Sequence, residues 1–342
     1  MGELVLRTAI VVLAIAATAW VVLSVAVLLG RARFDRRARS DGSERPLADR
    51  EARRLVRRAR GNPRTEWGRW RTVTAVMRLA RARHASAPGL VRSLLADPDE
   101  RVAGAAVRVL GEIGDDRAVD MLLASLREGR GARSRIAAEL ERLAPVPGPL
   151  LPPLLRDADP GARFWGVTLL GRYPDIGTSG LIALSWDPDP NVRAAVAEAL
   201  DGRPAERVGG ALLTLLGDRE WFVRVHAARA AGHVLGAAAA PSLCALLSEQ
   251  EWWVRSAAKD ALRGIGSDAV PALLSVLVHS DPFARNGAAE ILQDIGFVDA
   301  LVDSEPESSL LQRIYHAGGE GMRAAAEQRA TSRARPRRLR AA

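Results

Sequence analysis

Lysine occurs once in this chain, at Lys259, and cysteine once, at Cys244. A single cysteine excludes a disulfide within the chain and any zinc site built from thiolates; it fits a reducing compartment. All other basic residues are arginine, a bias that points to a GC-rich bacterial genome. Aromatic residues make up only 4% of the chain. With few Tyr, Phe or β-branched clusters and an abundance of Ala, Leu and Arg, the chain reads as all-α. A phosphate-binding glycine loop with its lysine is also missing, since Lys259 has no glycine context and Gly318-Gly-Glu-Gly321 reads as a flexible break. The five histidines, His84, His226, His233, His279 and His316, form no close set with acids, and no His-Glu-x-x-His occurs. No serine or cysteine stands beside a base motif. No catalytic residue, cofactor or metal is therefore expected, and no small-molecule substrate.

What the chain has instead is repetition. Asp187-Pro-Asp-Pro-Asn-Val-Arg-Ala-Ala-Val-Ala-Glu-Ala-Leu200 reads as a turn followed by a helix, with proline at the first helical position. Val192, Ala195, Val196, Ala199 and Leu200 fall on one helical face. The terminal leucine recurs as Leu79, Leu110, Leu140, Leu170, Leu262 and Leu292, with Ala231 filling one slot; the steps are 30 or 31 residues. The arginine recurs as Arg133, Arg163, Arg193, Arg224, Arg255 and Arg285. Three places after it come Ile136, Gly166, Val196, Ala227, Ala258 and Ala288, and Ala106 holds the same slot one repeat earlier. A fixed period near 30 with two helical segments per period predicts an α-solenoid of about seven to eight helix pairs.

Charge is segregated along the chain. Residues 31–84 carry 18 arginines against six acids, and residues 331–342 carry five arginines and no acid. The repeat body between them holds 25 basic and 33 acidic residues. Basic flanks suit anionic lipid or nucleic acid, whereas the acidic body argues against wrapping DNA along its length.

Residues 8–29 hold no charge. About 20 such residues cross a hydrocarbon core. Ala17-Thr-Ala19 resembles a signal-peptide cleavage site, yet the apolar run continues ten residues beyond it, so a retained anchor is expected. Arg7 is the only basic residue before it; Arg31, Arg33, Arg36, Arg37 and Arg39 follow. Basic residues stay on the cytoplasmic side. The expectation is a single-pass cell-membrane protein, its N-terminus outside and its repeats cytoplasmic. The organisation expected is an anchor at 1–30, a basic linker or helix at 31–65, the solenoid at 66–296, irregular capping helices at 297–330 and a disordered basic tail at 331–342.

With Asp187–Leu200 in view, and Asp218-Arg-Glu-Trp-Phe-Val-Arg224 and Glu251-Trp-Trp-Val-Arg255 as variants, the units resemble HEAT repeats of the short bacterial type named after the phycobilisome lyases. The resemblance covers roughly residues 66–295. It implies a right-handed superhelix of antiparallel helix pairs acting as a protein-binding surface. By analogy with bacterial membrane HEAT proteins, it also implies an accessory role beside an envelope-synthesis enzyme. Two other family activities are weighed against this: a bilin lyase, which the membrane anchor disfavours, and an alkylpurine DNA glycosylase, which the acidic body disfavours.

The recurring acids Asp157, Asp187 and Asp218, with Arg163, Arg193, Arg224, Arg255 and Arg285, are read as a structural ladder of caps and inter-repeat contacts. A catalytic site is singular, whereas these recur. Trp221 and Trp252 share one place in neighbouring repeats, three residues before the arginine. Phe222 and Trp253 follow them, and Trp165 lies in an earlier second helix. Trp165, Trp221, Phe222, Trp252 and Trp253 are the candidate protein-binding residues; Trp221 and Trp252 are expected to form an exposed ridge, and most of the others to pack between repeats.

Overall fold

The computed structural model describes residues 47–60, 66–143, 148–319, 321, 322 and 324. The apolar segment 8–29, the flank Arg31–Arg39 and the tail 331–342 lie outside the described residues. The described residues are helical and contain no strand. They fall in two compact units, Met1–Leu90 and Val91–Ala342.

In the first unit, α1 (Asp49–Ala59) turns Ala52, Leu55 and Ala59 onto α2 (Glu66–Arg81). Arg78 closes the pair on Glu51 at 2.7 Å. Of the basic stretch expected as linker or helix, Asp49–Ala59 is a helix with a buried face. Five arginines occupy most of its remaining positions.

Helix α3 (Ala87–Leu95) leads to α4 (Glu100–Ile113), α5 (Asp116–Arg127) and α6 (Arg133–Arg142). Four two-element repeats then follow in register. A 3-10 turn at Pro152–Arg156 precedes α7 (Pro160–Leu170). Helix α8 (Thr178–Ala183), extended by the 3-10 turn Leu184–Trp186, precedes α9 (Pro190–Ala199). Helix α10 (Ala205–Leu216) precedes α11 (Trp221–Leu235), and α12 (Ala240–Ala245), extended through Ser248, precedes α13 (Trp252–Ile265). The array continues with α14 (Val270–Val276), α15 (Pro282–Asp294), α16 (Phe297–Ser304) and α17 (Ser309–Ala317). The architecture is an α-solenoid.

The register follows from burial. Leu79, Leu110, Leu140, Leu170, Leu200, Ala231, Leu262 and Leu292 are all 2% exposed or less, so the leucine slot is the core line of the second helices. At 148–156 and 176–186, in place of full first helices, the chain makes 3-10 turns and a short helix. Pro152 and Pro153 have no backbone N–H to continue an α ladder, and Gly177 enters its helix at φ 73°. The tight turn at Leu154 runs so close to α7 that a Cβ at Gly166 would lie 2.6 Å from the Leu154 Cβ. The slot that holds Ala, Val or Ile in other repeats therefore holds glycine here.

The stretch Trp221–Ser248 is long and apolar enough, by length and composition, to cross a membrane. It is two pieces of neighbouring repeats, broken at Gly236 (φ 53°, ψ −130°). Val223, Ala227, Ala228, Ala231 and Leu243 are fully buried in the array, which makes it core.

Candidate interaction surface

Each repeat turn is built around its arginine. Arg163 donates from Nη1 to the carbonyls of Asp157 and Ala158 in its own turn, at 3.0 and 3.1 Å. Its Nε and Nη2 reach Asp187 of the next repeat at 2.7 and 2.8 Å. Arg193 repeats the motif with Asp218 at 2.6 and 2.8 Å. Each turn aspartate also accepts the N–H two residues on: Asp189 to Asp187 at 2.9 Å and Glu220 to Asp218 at 2.9 Å. The Arg193 hydrogen bonds and the Glu220 amide outweigh burial and hold the Asp218 carboxyl below its ordinary value.

The ladder differs from expectation in three ways. The turn acids do not cap the helices. That task falls to the aspartate two residues later, Asp99, Asp159, Asp189 and Asp281, each accepting a first-turn N–H. Asp157 pairs with Arg127 at 2.8 Å, while Arg133 reaches past it to Asp159. Toward the C-terminus the rungs thin out. Glu249 is one methylene longer than aspartate, so Arg224 reaches it only through Nη2, at 3.0 Å, and the buried Arg224 Nε has no partner. Arg255 finds His279 where an acid would stand; its guanidinium lies 5.5 Å from the Phe283 ring centroid. Arg285 bonds only the carbonyls of His279 and Ser280, at 2.7 and 2.9 Å.

The aromatic side chains collect on the same turns. Trp221 is 40% exposed, and Trp252 and Trp253 are each 58% exposed. Trp252 and Trp253 meet edge to face at 4.7 Å. Phe222 and Trp165 are half-buried, Phe222 against Trp221 at 5.8 Å and Trp165 against Phe164 at 5.1 Å. The expected exposure of Trp221 and Trp252 is present, but Trp253 joins them rather than packing inward. Trp186 and Phe283, at 75% and 69%, complete the edge. Periodicity marks Phe283, which stands two residues before its repeat arginine, as Phe222 and Trp253 do. Trp186 comes just before Asp187, a slot held elsewhere by Gly217, Ser248 and Val278, and no pattern marks it. Trp221 and Trp252 replace the proline that opens α7, α9 and α15. The residues before them, Glu220 and Glu251, make no side-chain cap bond. Capping is relinquished where the tryptophans are displayed.

The pattern of HEAT repeats matches residues 71–141, 178–263 and 240–329, well over half of the chain. It belongs to the HEAT-repeat family. No curated protein matches it. Among solved structures, an engineered protein is similar at 18% identity over 77% of this chain and 87% of that one, with a TM-score of 0.38. Human deoxyhypusine hydroxylase in complex with glycerol is similar at 16% identity over 72% of this chain and 97% of that one, with a TM-score of 0.31.

Within this HEAT array the second helices are also joined by charge. His226 meets Glu198 at 2.8 Å, and His233 meets Asp201. The two histidines share a face of α11 and lean on α9. Lys259 and Arg263 hold Glu290 at 2.6 and 2.7 Å. Among the described residues, no group of three or more His, Cys, Asp or Glu is placed to hold a metal. An open hollow of about 410 Å³ lies at the turn edge, lined by Arg224, Ala245, Ser248, Glu249, Gln250 and Glu251.

Proposed function

We propose that this HEAT-repeat protein is a non-enzymatic scaffold that gives its turn edge to a protein partner. It is tethered to the cell membrane by one N-terminal helix, with the repeats in the cytoplasm. The observation that carries the reading is the row of exposed aromatics, Trp186, Trp221, Trp252, Trp253 and Phe283, along one edge of the repeats. Exposed apolar groups gathered in one place and rimmed by polar side chains mark interaction sites, and tryptophan is enriched where binding energy concentrates. The recurring charged residues are committed to joining repeats, which leaves the edge as the distinctive surface. The tether rests on the uncharged run 8–29 and on the arginines that follow it, Arg31, Arg33, Arg36, Arg37 and Arg39. The basic flank adds attraction to anionic headgroups, about 1 kcal/mol per arginine near the surface. A partner in the same membrane, such as an envelope-biosynthesis complex, fits that placement.

Affinity purification of the full chain from detergent-solubilised membranes tests the reading. The Trp221→Ser, Trp252→Ser, Trp253→Ser triple variant should keep its thermal stability and lose the co-purifying protein. Undiminished recovery of that protein would overturn the assignment. A C-terminal reporter active only outside the cytoplasm should stay silent.

A further inference from the structure

Helix α1 has two opposite faces. Ala52, Leu55 and Ala59, at 4%, 6% and 8% exposure, are committed to α2. Arg50, Arg53, Arg54, Arg57, Arg58 and Arg60 are all exposed. At about 100° per residue, the six fall within a sector of roughly 160°, centred opposite the buried stripe. Asp49 and Glu51 stand just outside its two margins, and Glu51 is held by Arg78 of α2 at 2.7 Å. The sector therefore carries one sign of charge. The turn edge, by contrast, sets Arg224 beside Glu249 and Arg219 beside Glu220. Within the sector Arg50 and Arg54, Arg53 and Arg57, and Arg54 and Arg58 are four residues apart. At that spacing like charges repel and weaken a helix. An anionic surface laid against the sector would relieve the repulsion.

We propose that the arginine face of α1 lies on anionic lipid headgroups, so that the first unit is held with α1 against the bilayer. The proposal rests on the membrane tether proposed above. The uncharged run ends at Leu29 and α1 begins 20 residues later. The linking chain spans at most about 65 Å, which keeps α1 near the surface. The five arginines of Arg31–Arg39 lie in that linking chain and are drawn to the same headgroups. The mode of contact follows from what α1 has already used. An interfacial amphipathic helix sinks an apolar face toward the acyl chains, but the apolar face of α1 is on α2. The contact is therefore one of charge, made at headgroup level and reversible by salt.

Fluorescence of the full chain in reconstituted vesicles tests this. Cys244 is buried, so a dye attached through Arg57→Cys reports on the arginine face alone. A headgroup-attached quencher should dim it roughly fivefold more in phosphatidylglycerol vesicles than in phosphatidylcholine ones, and about 1 M salt, with a Debye length near 3 Å, should erase the difference. A quencher deep among the acyl chains should leave the dye bright. Replacing Arg50, Arg53, Arg54 and Arg58 by glutamine should abolish the difference, while lysine at the same positions should keep it. These side chains point away from α2, and an unchanged thermal midpoint checks that both variants fold. Equal quenching in the two lipids would overturn the proposal. So would salt-sensitive retention of duplex DNA by the detergent-solubilised chain, lost in the glutamine variant, with no lipid-dependent quenching. Alkaline carbonate extraction separates the face from the tether. A chain that resists extraction but shows equal quenching keeps the tether and loses the docking face. A chain that carbonate releases, yet that sediments at neutral pH with phosphatidylglycerol vesicles alone, loses the tether and keeps the face.

Discussion

Arg193 holds Asp218 across a repeat boundary by two parallel hydrogen bonds, at 2.6 and 2.8 Å, with the two side chains only 7% and 8% exposed. A buried pair of this kind is costly to break from one side, because the survivor is left charged and dry. Asp218→Ala should lower unfolding stability by about 3–5 kcal/mol. Arg193→Met with Asp218→Leu should cost far less than either change alone. Urea unfolding of the three variants measures the difference.

The same contacts set an acid limit. Hydrogen bonding from the Asp159 amide and from Arg127 holds Asp157 below 3.8, its ordinary value, and Asp218 is held below that value too. Contact with His226 lowers Glu198 below 4.5. Folded values below the unfolded ones mean that the unfolded chain binds protons first. Their stabilisation is complete above those ordinary values and is lost as pH falls through the folded ones. The thermal midpoint should therefore be insensitive to these groups near neutrality and drop below about pH 4.5. The Asp157→Asn and Asp218→Asn variants should show a shallower acid slope.

Glu249 is a rung with a defect. Asp at this position would place its carboxylate as in the Arg163 and Arg193 rungs, satisfying Arg224 Nε and accepting the amide two residues on. Glu249→Asp should stabilise the protein by about 1 kcal/mol, the net value of a hydrogen bond recovered in a buried site. A thermal midpoint that fell instead would show that the longer side chain is preferred there.

Arg203 is 3% exposed and meets no carboxylate among the described residues. It donates instead to the carbonyls of Ala199, Pro174, Ile176, Leu170 and Tyr173 and to the Thr178 hydroxyl, at 2.6–3.0 Å. A cation among the C-terminal carbonyls of α7 and α9 also meets their negative dipole ends. Arg203→Met should cost about 3 kcal/mol or more, because several buried acceptors lose their donor together. Lysine, with fewer donors, should recover only part of it. Differential scanning calorimetry reads both.

Cys244 is buried, and burial pushes its thiol up to about 12. A thiol rather than a thiolate is inert. Labelling by a thiol reagent at pH 8 should be negligible in the folded chain and rapid in denaturant. Fast native labelling would contradict the packing around α12.

The repeat register was legible because a 30-residue period imposes the same burial on Leu79 as on Leu292. The arginine slot was legible for the same reason. Its partners were not. Whether Arg133 meets Asp157 or Asp159, and whether Arg224 meets its acid with one nitrogen or two, depends on the turn geometry and on one methylene. Arg203 escaped because it occurs once, and periodicity is blind to a singular residue. Trp186 escaped for the same reason. Exposure of Trp253 could not be told from packing, since a half-turn of helix separates the two outcomes at a helix N-terminus.

The thinning of the rungs has a mechanical meaning. Two-pronged links at Arg163 and Arg193 give way to a single prong at Arg224 and to none on a carboxylate at Arg255. At the α13–α15 boundary Lys259 and Arg263 reach Glu290 and Asp294 instead, so the charged tie between these repeats lies toward the C-terminal ends of the second helices. At the turns the same boundary is bridged by Arg255 on the Phe283 ring rather than by a carboxylate. The aromatic edge can therefore adjust to a bound partner while the repeats stay joined.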